Sequence, residues 1–163
     1  MPTHNKFYRH PTTGDLDPAG LMVMGAFLQV AIHVPPAIAN DLAAKNEPVP
    51  SPVSGVAVID TGATMTCVHE SILKDQLGLN PISVITVGTA SGRTQRNVYP
   101  ARILTTEQNI TLDLDGVAGV DLTGQTVQTS PRPQDVIALL GRSFLSHCLL
   151  VWNGPGGFWS FSI

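Results

Sequence analysis

Apolar positions in this chain recur at short, strand-like intervals. Phe27, Leu28, Val30 and Ile32 alternate imperfectly with smaller or polar neighbours. Together with Met22-Val23-Met24 they predict one or two strands, ended by Pro35-Pro36. Residues 40–52 are polar, contain prolines and read as a connector. Residues 53–60, Val-Ser-Gly-Val-Ala-Val-Ile-Asp, are a β-branched run that predicts a buried strand ended by Thr61-Gly62-Ala63. Ile72, Leu73 and Leu77 suit a short helix over 69–77, stopped by Gly78. Residues 84–87 and 98–104 predict the arms of a β-hairpin, with the polar, glycine-containing stretch 88–97 as its mobile tip. Further strands are expected at 110–114, 124–129 and 136–140, the last fully apolar. Gly141-Arg142 then leads into a short helical turn through Phe144, Leu145 and Cys148. Two closing strands, 149–152 and 158–163, flank a Gly154-Pro155-Gly156-Gly157 turn.

Residues 1–20 have no apolar period and hold two of the five histidines, so they read as a flexible N-terminal arm ahead of one domain over 21–163. A chain of 163 residues with 43% hydrophobic content fills one core and is short for two. Charged residues are only 13%, beside 15 glycines and 13 prolines, which favours short strands and tight turns over a helical bundle. The expected class is all-β. A net charge of −3 lacks the basic footprint that phosphate backbones require, so nucleic acid is not an expected partner. The apolar stretch 21–32 is broken by Gly25 and Gln29 and is shorter than the roughly 20 residues that span a bilayer. No basic start or cleavage site marks a signal peptide, so a soluble cytoplasmic protein is expected, without membrane contact.

Asp60 closes a run of buried aliphatics, so its carboxylate emerges where the backbone leaves the sheet, between a hydrophobic strand and a glycine that lets another backbone approach. A hydrophobic strand, Asp-Thr-Gly-Ala at 60–63 and the hydroxyl-rich Thr64-Met65-Thr66 resemble the active-site segment of the retroviral-type, or retropepsin-like, aspartic peptidases. A second segment resembles the same family: Ile137-Ala138-Leu139-Leu140-Gly141-Arg142 followed by Phe144-Leu145. The glycine-bearing hairpin lies between the two, as in that family. An Asx-type turn cap would account for Asp60 and Gly62 but leave the downstream segment unexplained.

The resemblance implies a small closed β-barrel or sandwich with one or two short helices, assembled as a two-fold symmetric homodimer. It implies an aspartic endopeptidase acting on extended peptide or protein segments, without cofactor or metal. Its chemistry needs two neighbouring carboxylates sharing one proton, because like charges so close cannot both ionise. The sequence has one such triplet, and Asp75, Asp113, Asp115, Asp121 and Asp135 lie in polar contexts without it. The second carboxylate is therefore expected from another copy of Asp60 across a two-fold axis.

By the same resemblance, Thr61 would reach across the dyad, and Gly62 would offer its carbonyl to substrate backbone. Ala63 and Thr64 would border the cleft, Ile137 and Leu139 would line side-chain pockets, and Thr89, Ala90, Ser91 and Gly92 would form the closing flap. One departure stands out. Many viral members carry Asp where this chain has Thr64, paired to the arginine matching Arg142, so Arg142 needs another acid or a backbone carbonyl.

Other residues carry weaker functional readings. The histidines lack metal-ligand spacing. Cys67 and Cys148 form no Cys-x-x-Cys pair, and Cys67 with His69 as a nucleophile pair is a minor alternative. Trp152, Phe158 and Trp159 are expected in the core or a dimer interface. The rival to catalysis is a silent dimerisation or peptide-binding module on the same fold. A peptidase that trims only its own precursor, with 1–20 as the trimmed arm, lies between the two.

Overall fold

A computed structural model describes residues 3–10, 12–89, 92–129 and 132–163. Among the described residues eleven strands dominate, with three short α-helices and one π-helical turn. In chain order these are β1 (Thr3–Phe7), α1 (Pro18–Met24), β2 (Phe27–His33), α2 (Pro36–Ala44), β3 (Val53–Ile59) and β4 (Cys67–His69). The π turn Ile72–Gln76 precedes β5 (Ser83–Thr89), β6 (Gly92–Thr105), β7 (Ile110–Val120), β8 (Thr126–Val127) and β9 (Gln134–Leu140). The chain then forms α3 (Arg142–Leu145), β10 (Leu149–Asn153) and β11 (Phe158–Ser162).

The larger sheet runs β2-β3-β9-β4-β7-β6-β5, and an added β2–β6 pairing closes its first six strands into a barrel. Closure leaves those strands without free edges. Inside lie Ile32, Val56, Val68, Tyr99, Ile103, Val117 and Leu140, each at most 1% exposed in the company of a continuous apolar core. Two segments far apart in sequence, β3 and β9, pair in parallel at the centre. Their register steps from Val56↔Val136 to Ala57↔Ala138, so β9 carries a bulge at Ile137.

A smaller sheet, β1-β11-β10, packs beside the barrel. It corrects the reading of 1–20 as a flexible arm: Thr3–Phe7 pairs with β11 from Thr3↔Ser162 to Phe7↔Phe158. Tyr8 is buried, and its hydroxyl donates to the Gly25 carbonyl. The pairing information sits in β11, whose Trp159 and Phe161 are fully buried, and that partner is invisible to a local reading of 1–20.

Local signals explain the other departures. Met22-Val23-Met24 belongs to a helix because Asp17 caps it, accepting from the Ala19 N–H at 3.1 Å, and Pro18 occupies its first turn. Pro36 likewise opens α2, which takes up part of the expected connector. The expected helix over 69–77 is only a π turn, with the Leu77 N–H on the Ile72 carbonyl, since His69 is drawn into β4 between β7 and β9. The hairpin arms run further than expected, pairing from Ser83↔Val98 to Thr89↔Gly92 in place of a broad turn over 88–97. No helix is long and apolar enough to cross a membrane among the described residues.

Candidate active site

Asp60 follows β3 directly, and its backbone N–H donates to the Leu140 carbonyl at 3.1 Å, tying the turn to the end of β9. Its Oδ1 accepts from the Gly62 N–H at 3.0 Å and the Ala63 N–H at 3.2 Å. The Asx-type turn, weighed above as the alternative account of Asp60, is therefore present, and it orients the carboxylate. The carboxylate is half-buried and lines a cavity of about 670 Å³.

The downstream segment braces this turn from behind. The Arg142 N–H donates to the Ala63 carbonyl at 2.9 Å and the Ser143 N–H to the Thr64 carbonyl at 3.0 Å. The Ser143 hydroxyl accepts from the Thr66 N–H at 2.9 Å and donates to the fully buried Thr66 hydroxyl at 3.0 Å. The Arg142 guanidinium donates to the Thr61 carbonyl at 3.0 Å, the Gly62 carbonyl at 3.4 Å and the Thr64 hydroxyl at 2.7 Å. The partner that Arg142 required is thus two backbone carbonyls and a hydroxyl. A planar fork with several donors suits such a divided set.

Gly62, Ala63, Thr64 and Leu139 join Asp60 around the cavity. Thr61 is exposed at the turn, outside that lining. Ile137 is not beside Leu139 there. It is 8% exposed, and its side chain fills the space above Gly55, where an added Cβ would lie 2.8 Å from Ile137 Cγ2. Strand alternation predicts 137 and 139 on one face, and the bulge in β9 breaks that alternation. Of the expected flap tip, Thr89 and Gly92 end the paired hairpin arms, and Ala90 and Ser91 lie outside the described residues.

The hairpin contributes Ile85, Thr86, Val87 and Gly88 to the cavity, and Ala118 and Val120 of β7 add to its wall. Sequence reading assigned none of these to the site. The apolar Ile85 and Val87 at strand spacing were the available signal, whereas Ala118 and Val120 arrive only through the β4–β7 pairing. Met65 and Cys67 complete the lining. Burial, and then the Asp60 charge, push the Cys67 thiol up, so it is a poor nucleophile. His69 turns to other cavities, where its Nδ1 accepts from the Leu122 N–H at 3.0 Å.

Every other acid is placed elsewhere. Asp113 holds Arg102 in a two-bond pair at 2.7 and 2.9 Å, Asp75 and Asp121 face a separate polar cavity, and Asp135 borders another. Among the described residues, Asp60 is the one carboxylate lining its cavity. No group of three or more His, Cys, Asp or Glu able to hold a metal ion occurs among them.

No family model matches this chain, and no curated protein matches it. The solution structure of Simian Foamy Virus (mac) protease matches at 20% identity, covering 74% of this chain and 92% of that one, with a TM-score of 0.43. A superposition that loose carries no weight for the site.

Proposed function

We propose that this chain is one half of an aspartic endopeptidase, with a catalytic dyad of two Asp60 carboxylates, one from each copy of a homodimer. The observation that carries it is the solitary, braced Asp60 at the floor of a largely apolar cleft beneath the β5–β6 hairpin. A water held between the two carboxylates loses a proton to the ionised one as its oxygen attacks the substrate carbonyl carbon. The neutral carboxyl gives its proton to the carbonyl oxygen, forming a tetrahedral diol. The carboxyl that took the water's proton then passes it to the nitrogen, a diol hydroxyl returns its proton to the other carboxylate, the C–N bond breaks, and a carboxylic acid and an amine leave with the dyad again sharing one proton and no covalent enzyme intermediate formed.

Roles for the surrounding residues follow from their positions. Exposed Thr61 is available to a partner turn, and Gly62 and Thr64 border the path of an extended peptide. Ile85, Val87, Val120 and Leu139 favour apolar side chains next to the cut. The hairpin, tip included, acts as the closing flap.

The test is Asp60→Asn, assayed on a peptide library from acidic to neutral pH. Asn keeps an oxygen for the Gly62 and Ala63 N–H groups, so the fold is retained and activity drops by roughly 10²–10⁴-fold. Undiminished cleavage would remove Asp60 from the mechanism. A folded, dimeric wild type that cleaves nothing would favour the silent peptide-binding module.

A further inference from the structure

We propose that His69 is a proton-operated positioning residue for the Asp60 cleft. Neutral, it accepts the Leu122 N–H and holds the cleft wall that carries Val120; protonated, it turns to the Val120 carbonyl and releases Leu122. The effect on cleavage rests on the catalytic reading above, whereas the exchange of partners stands without it.

One ring nitrogen lies between two groups of opposite character. His69 Nδ1 is 3.0 Å from the Leu122 nitrogen, which donates to it, and 3.2 Å from the Val120 carbonyl oxygen, which can only accept. A neutral imidazole with its proton on Nε2 offers a lone pair at Nδ1 and satisfies Leu122 alone. An imidazolium carries an N–H at both nitrogens, so it satisfies Val120 alone and sets its charge against the Leu122 N–H. The two bonds exclude each other, and the proton on the ring chooses between them. The side chain is 26% exposed, so solvent protons reach it.

The segment that this choice moves borders the cleft. His69 ends β4 in register with Val120, the last residue of β7. Val120 lines the Asp60 cavity. Leu122, two residues on, is 9% exposed and lines a neighbouring cavity that shares Leu139 with the cleft. Once β7 has ended, the Leu122–His69 bond fixes where this apolar wall stands.

Charges face the ring from several elements. Asp121 Oδ1 lies 3.9 Å from Nδ1, and bonds from Thr123 hold the Asp121 carboxyl below its usual value, so it is the anion nearest an imidazolium. Glu70 just after β4, Lys74 and Asp75 of the π turn, and Arg96 of β6 share one cavity with the ring, and Asp135 of β9 shares another. Histidine is the one of these side-chain types that ordinarily changes charge between about pH 5 and 8.

The test is an NMR titration of the isotope-labelled full chain from about pH 8 to 5. Imidazole nitrogen spectra should show an unprotonated Nδ1 in the neutral ring, and the Leu122 amide and Val120 methyl signals should move together with the His69 titration. His69→Asn offers an oxygen near the place of Nδ1 and takes up no proton, so both signals should stay put across the same range. In peptide cleavage, acidification should raise the wild-type KM by roughly three- to tenfold, the scale of one hydrogen bond, and leave that of His69→Asn flat. The kcat profile, set by the dyad, should be the same in both. A neutral ring protonated at Nδ1, Leu122 and Val120 signals indifferent to the His69 titration, or an Asn variant whose KM follows wild type would overturn the proposal. The wild-type titration decides the matter even if the variant does not fold. Failure of the catalytic reading looks different: Asp60→Asn cleaves like wild type, or nothing is cleaved, while the exchange of partners at His69 is still seen by NMR.

Discussion

Gly141 is held to glycine by space, not by conformation. Its φ of −78° suits any residue, but an added Cβ would lie 2.4 Å from the Met65 carbonyl oxygen and 2.9 Å from the Thr66 nitrogen. Both are backbone atoms of the segment that follows Asp60, so relief requires moving the turn itself. Gly141→Ala is therefore expected to destabilise by about 1–3 kcal/mol, as overpacked sites do. Urea unfolding should show a lower midpoint at unchanged slope, and cleavage should fall beyond the loss of folded protein. The sequence marks Gly141 as part of a motif, and the crossing of two loops supplies the reason. Thr64 and Arg142 were legible in the same partial way, since an arginine deprived of its acid must find carbonyls, but only the fold says which.

At the scale of elements, a polar contact ties Glu70, just after β4, to β6 beside the apolar core. The Glu70 carboxylate accepts from the Asn97 amide at 2.7 Å and the Tyr99 hydroxyl at 2.8 Å, and the lack of a side chain at Gly119 leaves room for both Glu70 and Tyr99. The bond from Asn97, then that from Tyr99, hold the Glu70 carboxyl below its usual value, with smaller help from Lys74 and Arg96 against a burial cost. A group depressed in the folded state binds protons more readily when unfolded. Its stabilisation is therefore complete above the ordinary carboxylate value, about 4.3, and is lost as pH falls through the folded value. Glu70→Gln is expected to flatten the acid side of the stability profile, measured by denaturant unfolding at neutral pH and near pH ~3. A slope remains from Asp113, whose carboxyl the Arg102 bond also lowers. Strand cores were legible because β-branched runs signal burial locally. Their ends were not, since the extra residues of β6 are polar or small, those of β7 are broken by Asp115, Gly116 and Gly119, and both join the sheet through their partners.

For the whole molecule, the proposed function, in which a second copy completes the site, ties activity to concentration. Specific activity is expected to fall on dilution, with its midpoint where the weight-average mass falls from dimer to monomer. Progress curves and sedimentation on the same samples make the comparison. Activity proportional to protein at every concentration would place a complete site within one chain.

What the sequence determined by itself is local in character: aliphatic runs that must be buried, a turn that must follow Asp60, and a single Asp-Thr-Gly triplet, which under the proposed function supplies half a dyad. The tertiary structure alone decided that β3 pairs with β9 in parallel, that a bulge moves Ile137 away from Leu139, and that β1 closes on β11 and leaves β10 as the open edge. The division has a physical cause. Burial and turn chemistry are set by near neighbours, whereas strand order and register are set by which distant apolar faces can be covered together, and one residue of slip exchanges the two faces of a strand.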